Sequence, residues 1–123
     1  MRNVKSCVSG LAAVLLLVTG CNRAEPPVEV QEDVAEAQRD GEEQVAEAQA
    51  DLAQDRAETG EVFNESTAEN RYELQIAKAD AERKVALEQC EALSGSPQEA
   101  CKELAEEKYE LTKAEAERER QQM

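Results

Sequence analysis

The chain has no tryptophan and no histidine, and only one phenylalanine and two tyrosines. Without large rings it cannot assemble a large globular core. Without histidine it lacks the commonest general base and a principal zinc ligand, so Ser94 and Ser96 have no imidazole to activate them. Carboxylates are plentiful, but general acid or base work needs a pKa moved by burial or a fixed neighbour, and a sequence this polar spreads its acids over solvated faces. Nothing matches the Asp-x-Asp-x-Asp-Gly calcium loop. The expectation is a protein that is not an enzyme, with no cofactor, no metal and no small-molecule substrate. Positive charge is scarce as well: 14 Lys and Arg stand against 28 Asp and Glu, a net charge of −14. Phosphates would be repelled rather than neutralised, so nucleic acid is not expected as a partner.

Long apolar runs are absent except at the start, where Arg2 and Lys5 precede an apolar stretch from Val8 to Val18. As a helix this run spans about 16 Å, short of the roughly 30 Å hydrocarbon core, so it reads as an export signal rather than a permanent membrane span. It ends in Val18-Thr19-Gly20-Cys21, which resembles the lipobox of bacterial lipoproteins. That resemblance implies cleavage before Cys21, a diacylglyceryl thioether on its sulfur and usually a third, palmitate-like chain on its amine. Two or three chains anchor stably where one does not. In that family Asn22, in place of an aspartate, favours the outer membrane over the inner, with the chain facing the periplasm.

Removal of residues 1–20 leaves 12 basic and 28 acidic residues, and Leu, Ile, Val and Phe fill only 14 of the 103 positions. Such a balance suggests disorder. Ala, Glu, Lys, Leu and Arg, however, fill 59 of them, the bias of long helices and coiled coils. The expected fold is all-α: long charged helices forming a disulfide-stapled antiparallel hairpin, coiled-coil-like, with a first helix that is loosely attached or completes a three-helix bundle.

Residues 21–31, with Pro26-Pro27, read as a lipid-anchored, extended and flexible tether. Residues 32–58 read as an amphipathic helix in which VAEAQ at 34–38 returns at 45–49. Eleven residues are three helical turns with little drift, so Val34, Gly41, Val45, Ala48 and Leu52 share a face, though a thin one. A linker follows at 59–66, with Ser66-Thr67-Ala68-Glu69 resembling a capping box. Residues 67–121 are the hairpin. Its first arm carries a heptad-like seam of Tyr72, Ile76, Ala79, Arg83, Ala86, Cys90 and Leu93. Its second arm opens at Ser96-Pro97-Gln98-Glu99, with Ser96 as N-cap and proline at the first helical position.

Cys90 and Cys101 flank the turn Ser94-Gly95-Ser96-Pro97 symmetrically. Folding there sets Cys90 against Cys101, Leu87 against Leu104 and Ala86 against Ala105. With Cys7 removed and Cys21 lipidated, these are the remaining thiols, and an exported protein keeps such a bond. Reduced buried thiols and metal ligation are the alternatives, the latter weakened by the missing further ligands. An internal repeat pairs Arg71-Tyr72-Glu73-Leu74 with Lys108-Tyr109-Glu110-Leu111. A second pairs residues 78–83 with 113–118, two residues being deleted between the halves. Residues 71–118 also resemble small uncharacterised exported proteobacterial proteins, in which a tyrosine and an Ala-Lys-Ala stretch precede Cys-x-x-Leu-x-Gly and a second cysteine. Here these are Tyr72, Ala77-Lys78-Ala79, Cys90, Leu93, Gly95 and Cys101. The resemblance implies compartment and hairpin architecture, and no chemistry. The partners expected are the membrane through Cys21 and either an envelope protein or further copies of the chain. A structural or spacer role in the envelope is the first reading, a helical binding module the second.

Overall fold

The computed structural model describes residues 23–60 and 65–123. The signal at 1–20, the lipobox Val18-Thr19-Gly20, Cys21 and residues 61–64 of the proposed linker lie outside the described residues, while its other residues belong to the end of α1 and the start of α2. Three helices make up the rest: α1 (Pro27–Thr59), α2 (Glu65–Cys90) and α3 (Ser96–Gln122). None of them is long and apolar enough to cross a membrane.

The helix ends follow local chemistry, not always at the positions the sequence suggests. α1 starts five residues earlier than position 32, because Pro27 at its first turn has φ already fixed for a helix and no N–H to satisfy. The proposed tether therefore shrinks, and Glu25 is tied down: its N–H donates to the Glu91 carbonyl at 2.8 Å. α1 ends at Gly60, whose φ of 64° is the left-handed conformation that closes a helix, with its N–H on the Arg56 carbonyl. The N-cap of α3 is Gly95, not Ser96; Gly95 adopts a φ of 66°, and its carbonyl accepts from the N–H groups of Gln98 and Glu99. The proposed capping box at 66–69 serves another purpose. Ser66 and Thr67 both donate to the Asp55 carboxylate, at 2.6 and 2.7 Å, and so bind the start of α2 to the end of α1.

α2 is the middle helix. It packs antiparallel to both neighbours, while α1 and α3 do not pack on each other, so the three helices form an open layer rather than a closed bundle. α1 is not loosely attached: its contacts with α2 run from Glu25–Glu91 at one end through Gly41–Ala81 to Asp55–Thr67 at the other. The buried apolar positions share one period. Val30, Gly41 and Leu52 on α1, Ala68, Ala79 and Cys90 on α2, and Ala105 and Ala116 on α3 each lie eleven residues apart. Eleven residues in three turns is 3.67 per turn, and of the heptad-like seam on α2 only Ala79 and Cys90 fall on this buried row. Most of these residues are small, and helices that meet through alanine, glycine and cysteine approach closely. A Cβ placed on Gly41 would lie 2.6 Å from that of Ala81.

Candidate functional site

The hairpin is stapled where the turn symmetry places it. Cys90 and Cys101 form a disulfide with Cα atoms 5.7 Å apart, and Cys90 is fully buried. Closing a loop of this length contributes about 3 kcal/mol in the chain-entropy model. The register beyond the bridge differs from the expected one. Ala105 is buried, but Leu104 is 67% exposed and Leu111 65% exposed, so the proposed Leu87–Leu104 seam does not form. α3 turns its alanines to α2, because the short Cys90–Cys101 separation draws the two backbones together and leaves no room for leucine between them.

Polar side chains complete the α2–α3 interface in two reciprocal clamps. Arg83 reaches Glu106 at 3.0 Å and lies over the Tyr109 ring, 5.0 Å from its centre. Arg120 reaches Glu69 at 3.0 Å and lies over the Tyr72 ring at 4.5 Å. Each clamp thus stacks a guanidinium on an aromatic face and satisfies it with a carboxylate. The two are related by one constant offset of 37 residues: Glu69 to Glu106, Tyr72 to Tyr109, Arg83 to Arg120, and the buried Ala68 and Ala79 to Ala105 and Ala116. This corrects the register of the internal repeat. No residues are deleted between its halves, and Arg120, not Arg118, is the counterpart of Arg83. The hairpin is a pseudo-twofold unit. Glu82 with Lys108 at 2.7 Å, and Glu91 with Lys102, add further ion pairs across it.

Arg83 also donates to Asp80, as does Lys84. Burial pushes the Asp80 carboxyl up, but these two cations outweigh it and hold it below the usual carboxylate range. The hydrogen bonds that Arg83 donates to Asp80 and Glu106 in turn raise the Arg83 pKa. Asp55 is lowered by the Ser66 and Thr67 hydroxyls. Glu25 moves the other way: burial raises it, and Glu91, Glu29, Asp33 and Glu88 add to the effect. Its Oε2 is buried with no hydrogen-bond partner among the described residues.

Because α1 and α3 stand apart, an open groove of about 870 Å³ runs between them over α2. Its floor is Val45, Ala46, Val85 and Ala86, and its rim carries Glu42, Glu82 and Lys108. Gln38, Gln49 and Gln89 line it as well. Among the described residues no group of three or more Asp, Glu, His or Cys is arranged to hold a metal ion. The sequence set Leu104 inside the hairpin against Leu87, and it is open instead; Leu111, which the binding-module reading placed on a partner-capturing seam with Ile76, Leu87 and Leu104, is open as well. The signal that could have placed them outside is the 37-residue offset, since it aligns Ala105 and Ala116 with buried Ala68 and Ala79. Comparison with family models, with curated proteins and with solved structures finds no match.

Proposed function

We propose that the chain is a non-catalytic, lipid-anchored protein of the bacterial envelope, exported, acylated on Cys21 and held at the outer membrane facing the periplasm, where its helices act as a structural element or spacer. The observation that carries this reading is the charged start, short apolar run and Val18-Thr19-Gly20-Cys21 box, standing immediately before a folded body that begins at Glu25. A disulfide within that body suits an oxidising compartment. The narrow, charge-laced helices suit a support rather than a pocket for a substrate.

Mass spectrometry of the mature N-terminus tests it. The expected species begins at an acylated Cys21, and Cys21→Ser leaves unprocessed precursor. A mature chain with an unmodified N-terminus overturns the anchor. Fractionation of the envelope then assigns the membrane, and co-purification from crosslinked envelopes separates a brace recovered with peptidoglycan from a module recovered with one stoichiometric protein. The second reading, a helical binding module, is favoured by the exposure of Leu104 and Leu111 one above the other on α3.

A further inference from the structure

The 37-residue offset relates more than the two clamps, because it also maps the outer face of α3 onto the face of α2 that receives α1. Leu104, Leu111 and Arg118 correspond to Thr67, Leu74 and Ala81. Thr67 is buried against α1 through Asp55, Leu74 shares a cleft with Leu52, and Ala81 touches Gly41. On α2 this face is covered by an antiparallel helix. On α3 the equivalent face is open, its leucines two-thirds exposed and seven residues apart on one side of the helix.

The charge around the strip selects the chemistry of its occupant. Lys102, Lys108 and Arg120 turn towards α2 and pair there with Glu91, Glu82 and Glu69. Glu103, Glu107 and Glu115 stay exposed beside the leucines, outnumbering the exposed Arg118 at the C-terminal end of the strip, whose Nε donates to the Ala114 carbonyl. A second copy of this chain, with its large negative net charge, would bring like charges together.

We infer that the outer face of α3, centred on Leu104 and Leu111, is the docking site for a basic amphipathic helix of a partner protein, running antiparallel to α3 as α1 runs along α2. This rests on the binding-module reading and adds to it the partner's charge and direction. Small or apolar residues on the partner seat the two leucines, and its lysines or arginines meet the flanking glutamates.

The probe is a synthetic peptide of residues 28–58 in which Glu29, Glu36, Glu43, Glu47, Asp51 and Glu58 are each replaced by lysine, compared with the unmodified peptide. The full chain in its mature form, isotopically labelled, is titrated with each and followed by amide chemical shifts. Saturable changes centred on Leu104 and Leu111 are expected, at least tenfold tighter for the lysine peptide, weakening with salt and reduced more than tenfold in Leu104→Gln/Leu111→Gln. Both leucines are largely exposed, so that variant keeps the parent's thermal melt and preserves the charge.

Binding that survives the double variant, or no binding of either peptide, overturns the site. Tighter binding of the unmodified peptide at the same leucines overturns the basic partner while leaving the binding-module reading intact. A dimer in sedimentation that the double variant abolishes overturns it in favour of a second copy.

Discussion

Glu25 occupies a position that an acidic protein would be expected to avoid. Its carboxyl sits partly buried at the end of the helical layer, with one oxygen unpartnered and Glu91, Glu29, Asp33 and Glu88 around it. Burial first, and those neighbours second, raise its pKa in the folded state. A carboxyl whose folded pKa exceeds its unfolded value makes a contribution that is fully present below the unfolded value, about 4.3 for glutamate, and is lost as pH rises from there through the folded value. At neutral pH the ionised Glu25 is therefore a liability. Glu25→Gln is expected to raise the Tm at pH 7, with the gain fading as the pH falls to 4 and below. Thermal melts across that range check it, and a gain of equal size at both ends would mean the charge is not the cause. Asp55 has the opposite sign. Its folded pKa is held low by the Ser66 and Thr67 hydroxyls, so its contribution is present above the unfolded value and lost as pH falls through the folded one.

At the scale of the helix, α1 demonstrates how little apolar volume a helix needs when its partner comes close enough. The face Val34, Gly41, Val45, Ala48 and Leu52 is thin, because only Val34, Val45 and Leu52 bring large apolar side chains. Gly41 compensates, because its missing side chain lets the backbone of α2 come close at Ala81. Gly41→Ala tests this. In a solvated helix the change would stabilise by about 1 kcal/mol through propensity. Here the new Cβ would stand 2.6 Å from the Ala81 Cβ and 3.2 Å from its Cα, so the helices must part, at an overpacking cost of about 1–3 kcal/mol. The expected result is a net loss of up to about 2 kcal/mol in urea unfolding, partly recovered by adding Ala81→Gly. A gain of about 1 kcal/mol would show α1 standing free of α2. Helix content, the disulfide partners and the eleven-residue repeat were legible because they depend on local composition and on symmetry about one turn. The central place of α2 was not. A helix with neighbours on two sides spreads its half-buried residues around its circumference, as Leu74, Ile76, Ala81 and Val85 do, so no single stripe announces its partners. Leu104 misled for a related reason: size suggested core, whereas the stapled interface selects alanine.

For the whole molecule, the order of the helices fixes which end would meet a membrane. α1 and α3 run the same way, and the bond from Glu25 to Glu91 sets the start of the described chain beside the α2–α3 turn, with Gly60 and Met123 at the opposite end. Only four peptide steps separate Cys21 from Glu25, a reach of at most about 14 Å. If Cys21 carries the proposed lipid, the layer stands with its disulfide-stapled turn against the bilayer and its C-terminus about 40 Å away, the length of a 27-residue helix. Leu93, 39% exposed beside that turn, would then face the headgroups, as would Val28, 68% exposed on the first turn of α1. The absence of native tryptophan makes the arrangement measurable. In the acylated protein reconstituted with bromine-labelled lipid, Leu93→Trp is expected to be quenched strongly and Met123→Trp hardly at all, with Leu111→Trp, a little past the middle of α3, close to the latter. Equal quenching at both ends would mean that the helices lie flat on the membrane. In that case α1 could not hold the rest of the molecule away from the surface, and the spacer role would fail even with Cys21 acylated.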